Sequence, residues 1–131
     1  MPNFANRYMD INKYVDSRGK LVKFDFLPNF SVKGFFIVAD SPLGLIRGQH
    51  AHKKSSQIFF LIRGKVKVMT YFEGKWKNQI LHSTFQYINI PRLTWINYEF
   101  LEKDTQIMVF TDSEYDKDEY ITDFSLVTEN L

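Results

Sequence analysis

Residues 44–64 read GLIRGQHAHKKSSQIFFLIRG and are the most informative stretch of the chain. The spacing is G-x5-H-x-H-x4-Q-x6-G, with His50 and His52 two residues apart and Gln57 further on. Residues two apart on a β-strand project from the same face, so the two imidazoles are predicted to lie side by side. Burying so many polar groups on one short segment is costly unless they are used, which favours a functional site over a pair of core histidines.

Outward from this stretch, short runs rich in aromatic and β-branched residues alternate with turn signals such as Arg63-Gly64 and Glu73-Gly74. The predicted strands cover residues 21–27, 33–39, 57–62, 65–72, 75–81, 85–90, 95–100 and 106–111. Many short strands at such spacing are typical of a β-sandwich or a β-barrel. One helical segment is predicted near the C-terminus, capped by Asp112 or Ser113 and running through Tyr120. The predicted fold class is therefore all-β, as a single domain over residues 1–131 with a short C-terminal helical segment.

Composition limits the function classes. The chain has 131 residues and no cysteine, which excludes disulfides and cysteine-based zinc sites. It has no signal-peptide pattern and no apolar run of about 18 residues that would span a bilayer, so a cytoplasmic protein without membrane contact is expected. Residues 1–92 hold 15 Lys and Arg against 5 Asp and Glu, whereas residues 93–131 hold 2 against 10. This asymmetry fits either a solvated basic surface or an anionic partner such as a nucleotide diphosphate; no motif indicates nucleic-acid binding.

The two histidines allow metal binding or acid–base chemistry. Two His with the neutral Gln57 make a poor ligand set for zinc or iron, and the remaining histidine, His82, is expected at the surface. An imidazole exchanges a proton near neutral pH because its ordinary pKa is about 6.5. A base of this kind can remove the proton next to a ketone and return it to the neighbouring carbon. The residues thus favour a ketoisomerisation that uses neither a metal nor a redox cofactor.

The spacing of residues 44–64 resembles the first cupin motif, with Gln57 where that family usually has a glutamate. The segment Arg47 to Lys53, R-G-Q-H-A-H-K, is similar to the signature of the dTDP-4-keto-6-deoxyglucose 3,4-ketoisomerases, the FdtA/QdtA-like and WxcM-like group. Residues 16–21 (DSRGKL), 91–95 (PRLTW) and 115–124 (YDKDEYITDF) are also similar to that family, so the matching pieces span about residues 14–124.

This resemblance implies a jelly-roll cupin barrel that converts a dTDP-linked 4-keto-6-deoxy hexose into its 3-keto isomer. Such a product feeds the synthesis of amino sugars for lipopolysaccharide or S-layer glycans. It also implies a homodimer that exchanges N-terminal strands, and no cofactor or metal.

By the same resemblance, His50 is the base that moves a proton between C3 and C4, and His52 orients or relays, although the two roles can be exchanged. Arg47 would contact the sugar or its diphosphate. Gln57 would hold a hydroxyl group or a histidine tautomer. Lys53 and Trp95 complete the expected substrate-binding residues.

One departure keeps alternatives open. Phe35, Phe36 and Ile37 stand in the run where family members commonly carry a tyrosine that faces the substrate. A non-catalytic nucleotide-sugar-binding cupin is therefore the second reading, and a metal-dependent cupin enzyme is the third. Four tyrosines are candidates to replace the absent hydroxyl: Tyr8, Tyr14, Tyr87 and Tyr98. The nucleotide, the hexose and the configuration at C4 of the product stay open.

Overall fold

The structure is a computed structural model that describes residues 7–129. Over that range the chain forms eleven strands and one short α-helix. Their bounds are β1 (Met9–Asp16), β2 (Gly19–Phe26), β3 (Gly34–Ala39), β4 (Arg47–His52), β5 (Gln57–Arg63), β6 (Val66–Phe72), β7 (Lys75–Leu81), β8 (Tyr87–Ile90), β9 (Trp95–Phe100), β10 (Gln106–Thr111), β11 (Tyr120–Ile121) and α1 (Phe124–Glu129). The helical segments among these residues are too short to cross a membrane.

Two antiparallel sheets form the body of the fold. One has the order β3-β10-β5-β8 and the other β11-β4-β9-β6-β7, while β1 and β2 pair only with each other. A buried apolar cluster joins the two sheets, as expected for a jelly-roll sandwich. Its members are Val38, Phe59, Leu61, Val66, Val68, Leu81, Ile90, Ile96, Tyr98, Phe100, Ile107 and Val109. The predicted all-β fold with a small C-terminal helix is confirmed.

Two further apolar clusters cover the outer faces of the sheets. The β1–β2 hairpin packs on the four-stranded sheet, where the rings of Phe24 and Phe60 lie 4.8 Å apart. Helix α1 packs on the five-stranded sheet, where the ring of Phe124 lies 5.1 Å from Tyr71, 5.1 Å from Trp95 and 5.5 Å from Trp76. Both outer faces are thus partly removed from water by the chain's own ends.

The predicted strands agree with the observed ones closely where a turn fixes their ends. Glu73 and Gly74 have φ values of 50° and 81°, and two consecutive positive φ values are the arrangement of the tight turn that joins antiparallel strands. Strands β6 and β7 accordingly lie where the pattern predicts them.

The predicted helix from Asp112 or Ser113 through Tyr120 is wrong. A 3-10 turn over Lys117–Glu119 is capped by Asp116, Tyr120 begins strand β11, and the α-helix starts only at Phe124. The acidic residues of this segment are typical of a helix start, and Asp116 does cap a turn here. The turn does not continue into a helix because the next residues, Tyr120 and Ile121, pair with β4.

We expect Phe124→Ala to lower the free energy of unfolding by about 1–3 kcal/mol, because it removes the ring that joins α1 to three aromatic side chains. Leu126→Ala is the matched control on the same helix, since Leu126 is 47% exposed, and it should change the free energy by less than about 0.5 kcal/mol. Denaturant unfolding followed by fluorescence measures both. Equal effects would mean that the aromatic cluster does not anchor the helix.

Candidate active site

Strand β4 carries the two histidines and is irregular just before them. Its pairing with β9 shifts register between Gly48 and His50, which leaves Gln49 as an extra residue with a φ of 56°. Gly48 has a φ of 83°, and a Cβ atom there would lie 2.7 Å from the carbonyl oxygen of Ile96. Only glycine fits so close a backbone approach. The bulge sets the direction of the following residues, and the rings of His50 and His52 meet edge-on with centroids 4.9 Å apart.

Two adjoining cavities surround these rings. The first cavity has a volume of about 640 Å³ and lies along β3, β4 and β9, and the second has a volume of about 500 Å³ and lies towards β10 and β11. Four residues line both: Phe36, His52, Gln57 and Tyr120. A larger groove of about 920 Å³ beside β1 and β8 contains neither His50 nor His52. The polar and titratable side chains of this region therefore lie where the first two cavities meet.

His50 is held in one tautomer. Its Nδ1 atom lies 3.0 Å from the carbonyl oxygen of Gly48, and a carbonyl can only accept, so Nδ1 carries the proton. The other ring nitrogen, Nε2, then has a free lone pair. Burial lowers the pKa of His50, although the Gly48 carbonyl and the charge of Glu119 oppose that shift. His50 is thus a neutral base at pH 7, lining the first cavity.

His52 lies deeper and beside a carboxylate. It is 5% exposed, and its Nδ1 atom is 3.5 Å from Oε1 of Glu119. Burial lowers the pKa of His52, the neighbouring His50 lowers it further, and Glu119 raises it. Burial would raise the pKa of Glu119, but hydrogen bonds from Ser55 and the proximity of His52 outweigh it, so the net shift is downward. The site therefore holds an ionised, buried carboxylate next to a neutral imidazole.

Tyr120 closes the cluster from strand β11, where it pairs with His52. Its ring centroid lies 4.5 Å from that of His52 and 5.0 Å from that of His50. Burial raises the pKa of the Tyr120 phenol, and Tyr115 and Glu119 add to the rise. The phenol consequently stays protonated at neutral pH and can donate a hydrogen bond into either cavity.

The structure brings some of the predicted substrate-binding residues together. Arg47 lines the first cavity and its Nε donates to the Tyr98 hydroxyl over 3.3 Å. Gln57 is 3% exposed and lines both cavities.

The structure leaves Lys53 and Trp95 outside both cavities. The side chain of Lys53 is exposed, and its backbone N–H donates to the Glu119 carbonyl over 2.9 Å. Trp95 belongs to the outer cluster around Phe124. Trp95 faces outward because side chains alternate along a strand. The next residue, Ile96, belongs to the core between the sheets, so Trp95 must point to the opposite face.

Of the four tyrosines considered as hydroxyl donors, Tyr98 alone lines the first or the second cavity. Tyr8 packs in the apolar cluster under the β1–β2 hairpin. Tyr14, near the turn of that hairpin, is 58% exposed, and Tyr87 lies on β8. The sequence reasoning missed Glu119 and Tyr120, although both belong to the stretch 115–124 that resembles the family. Their assignment to a helix hid the fact that a strand brings them to β4.

No group of three or more His, Asp or Glu side chains within residues 7–129 is arranged to hold a metal ion. His82 is exposed, as expected, and its Nδ1 atom lies 3.2 Å from the hydroxyl of Ser83. The residues that the structure describes do not therefore fit a metal centre around His50 and His52, and the absence of a metal requirement stays a prediction.

Comparisons with known proteins agree with this fold. The chain is 27% identical over 121 residues to TDP-4-oxo-6-deoxy-alpha-D-glucose-3,4-oxoisomerase of Aneurinibacillus thermoaerophilus, covering 91% of this chain and 87% of that protein. Among solved structures, a 3,4-ketoisomerase from Helicobacter canadensis superposes with a TM-score of 0.85 at 21% identity, covering 95% of both chains. QdtA, a sugar 3,4-ketoisomerase from Thermoanaerobacterium thermosaccharolyticum in complex with TDP, gives a TM-score of 0.83 at 20% identity, covering 93% of this chain and 90% of that one.

The family described as FdtA, WxcM-like, C-terminal matches residues 5–130, which is nearly the whole chain. The resemblance stated from the residues around His50 and from the ending 115–124 is thereby confirmed. The chain belongs to the FdtA family of WxcM-like proteins.

Proposed function

We propose that the chain is an isomerase that moves the keto group of a dTDP-linked 4-keto-6-deoxy hexose from C4 to C3. The curated relative is named as a 3,4-oxoisomerase of such a sugar, and QdtA was solved with TDP bound. The observation in this chain that carries the proposal is the neutral, tautomer-fixed His50 at the wall of a cavity of about 640 Å³. The predicted enzyme class, an isomerase, agrees with the names of these relatives.

The reaction moves one proton from C3 to C4 and one proton from O3 to O4, with no net change in protons. His50 Nε2 accepts the proton of C3, the C3–H electrons form the C3–C4 double bond, and O4 takes a proton from a neighbouring phenol to give an enediol. The O3 hydroxyl then gives its proton to that phenol, the O3–C3 carbonyl forms, the C3–C4 double bond becomes a single bond, and the histidine returns its proton to C4. Because the oxidation of C3 balances the reduction of C4, no external oxidant enters. A positioned acid or base of this kind contributes about 10²–10⁴ in rate.

Other residues would hold the substrate around that base. Arg47 would contact the sugar or its diphosphate, since a cationic group suits an anionic one, and Gln57 would hold a sugar hydroxyl or a histidine tautomer. Tyr98 and Tyr120 are the phenols that line the first cavity, and either can pass a proton between O3 and O4. His52 lies behind them, where it can accept a hydrogen bond from a sugar hydroxyl. We also propose that the protein acts in the cytoplasm, where nucleotide sugars would meet it.

Phe36 favours a second candidate, a cupin that binds a nucleotide sugar without converting it. Its side chain lines both cavities and offers no hydroxyl group. If the phenols of β9 and β11 do not reach O3 and O4, proton exchange at carbon can occur while the keto group stays in place.

We expect dTDP-4-keto-6-deoxyglucose, incubated with the protein in D2O without added metal, to gain deuterium at C3 or C4 together with a new 3-keto signal. Proton NMR over time measures both events. Binding of the sugar with neither exchange nor product would contradict the isomerase and support the binding protein. Exchange without product would show a working base and a blocked transfer between the oxygens.

We expect His50→Asn to lower kcat by about 10²–10⁴ because asparagine cannot accept the C3 proton. His82→Asn is the matched control and should keep full activity, since His82 is exposed and outside both cavities. The pH profile follows from the lowered pKa of His50. A base must be unprotonated, so kcat/KM should hold down to pH values below the ordinary histidine pKa of about 6.5 and fall only at lower pH. If kcat/KM already declines as the pH is lowered from 8 to 7, a neutral His50 with a lowered pKa is excluded as the base.

We propose in addition that the protein is a homodimer to which the N-terminal hairpin contributes. Strand β3 is an outer edge of its sheet, where Phe35 and Ile37 are 64% and 54% exposed. The hairpin bears further exposed apolar side chains, with Tyr14 at 58%, Val15 at 71% and Leu21 at 59%. An unpaired strand edge and several exposed apolar side chains are typical of an interface.

Light scattering should give twice the chain mass of 15.6 kDa at micromolar concentration. Leu21→Asp should shift the protein to the monomer, because the charge would be buried against the partner. Ile80→Asp is the matched control, at a side chain of similar exposure (49%) on the other sheet, and should leave the dimer intact. A monomeric wild-type protein would refute the dimer.

A further inference from the structure

We propose that Glu119 is a positioning residue of this site, which holds His52 with its proton on Nδ1 and compensates the charge of the ring whenever Nε2 takes up a proton. The effect on turnover rests on the proposed function, whereas the effect on the ring of His52 does not. Glu119 is assigned this role from its contacts, which fix the carboxylate on one side and present it to the imidazole on the other.

The carboxylate is anchored by the turn between β4 and β5. Glu119 is 4% exposed, and its Oε2 accepts the hydroxyl of Ser55 over 2.5 Å. Its Oε1 accepts the backbone N–H of Ser55 over 2.5 Å and that of Lys54 over 3.2 Å. Hydrogen bonds to a carboxylate favour its charged form, so these three donors keep Glu119 ionised despite its burial. Few free rotations remain, so the carboxylate has one position relative to β4.

The imidazole of His52 is confined on its other sides. Tyr120 and His50 flank it at 4.5 Å and 4.9 Å between ring centroids. Among the described residues, neither ring nitrogen has a partner closer than the 3.5 Å separation between Nδ1 and Glu119 Oε1. That separation is at the outer limit of a hydrogen bond, and such bonds in empty sites often tighten when substrate is bound.

The chemical consequence follows from the inventory of donors and acceptors. A neutral imidazole carries one N–H, and a carboxylate that can only accept draws this N–H to Nδ1. The lone pair on Nε2 then serves as an acceptor for a substrate hydroxyl. When the hydroxyl proton passes to Nε2, the O–H bond breaks, an N–H bond forms, and Glu119 offsets the positive charge. The proton later returns to a substrate oxygen, so nothing is consumed.

The pKa of His52 is subject to two opposing influences. Burial and His50 lower the pKa of the ring, which would leave an imidazolium too costly to form. The charge of Glu119 acts in the other direction. The competing reading is purely structural, because the same hydrogen bonds also fasten the turn after β4 to the C-terminal segment. The two readings differ in what happens to the ring of His52 when the charge is removed but the shape is kept.

The test compares Glu119→Gln, Glu119→Asp and Asp116→Asn. Glutamine keeps the shape and removes the charge, aspartate keeps the charge on a shorter side chain, and Asp116→Asn removes an exposed carboxylate three residues away that bonds Lys54. With 3 histidines in the chain, ¹⁵N NMR of the free protein resolves the His52 ring once His50→Asn and His82→Asn assign the others.

We expect Glu119→Gln to lower the titration midpoint of His52, to mix its tautomers, and to reduce kcat roughly 10- to 100-fold with KM changed less than about threefold. Glu119→Asp should restore most of both signals, and Asp116→Asn should change neither. An unchanged titration and tautomer in Glu119→Gln, together with an unchanged kcat and a lower stability, would overturn the proposal and leave Glu119 a structural clamp.

Should Glu119→Gln fail to fold, Ser55→Ala tests the same point, because it removes the hydroxyl donor to Oε2 and should move the His52 titration in the same direction by a smaller amount. No movement of the titration in folded Ser55→Ala would count against the proposal. The NMR readout needs no substrate. If Glu119→Gln changes the titration of His52 but the wild-type protein shows no turnover, the isomerase is rejected while the role of Glu119 is supported.

Discussion

Strand β11 joins β4 through only two residue pairs, Tyr120 with His52 and Ile121 with Ala51. Two ladder pairs are too few to hold a strand in water, because the entropy of ordering the chain exceeds what so few hydrogen bonds return. The pairing persists because both flanks are fastened. On one side the buried carboxylate of Glu119 accepts three hydrogen bonds from the turn after β4, and on the other the ring of Phe124 packs among three aromatic side chains. This short segment brings Glu119 and Tyr120 to the two histidines of β4.

The electrostatics of the cluster follow from that arrangement. Two imidazoles in contact cannot both be protonated at low cost, and burial lowers the pKa of each. An ionised carboxylate beside them would normally carry a large desolvation penalty, which the Ser55 and Lys54 donors offset. The result is a pair of neutral bases with one fixed negative charge behind the deeper of them. His50 is bonded to a backbone carbonyl and His52 faces a carboxylate, so the two rings differ in how well each tolerates a positive charge. This difference is the physical basis on which separate roles are proposed for the two histidines.

The sequence predicted those features that depend on local periodicity. The strand pattern, the turn at Glu73-Gly74 and the shared face of His50 and His52 all follow from residue spacing and turn chemistry. The resemblance added Arg47 and Gln57, which the structure places at the cavities. Trp95 lies outside both cavities because its neighbour Ile96 takes the inward direction on the same strand, and its role in substrate binding stays a prediction. Glu119 and Tyr120 were missed for a different reason. The acidic run 112–119 has the local character of a helix start, and only the distant partner β4 decides that the chain becomes a strand, which no local pattern reports.

The absence of a hydroxyl on β3 limits how the site can work. Phe36 contributes a flat apolar wall where the two cavities meet, so in the proposed reaction a proton moving between two sugar oxygens would be carried by groups on the opposite sheet. The Tyr98 oxygen accepts a hydrogen bond from Arg47 Nε over 3.3 Å, and its own O–H stays free to donate. Burial raises the pKa of Tyr120, whose ring lies edge-on to His50 and tilted against His52, so the phenol can donate without ionising. A sugar lying against Phe36 with its keto edge towards β4 would meet the base on one side and this phenol on the other. In the proposed reaction, the acid would therefore come from the sheet of β4, β9 and β11 and not from β3.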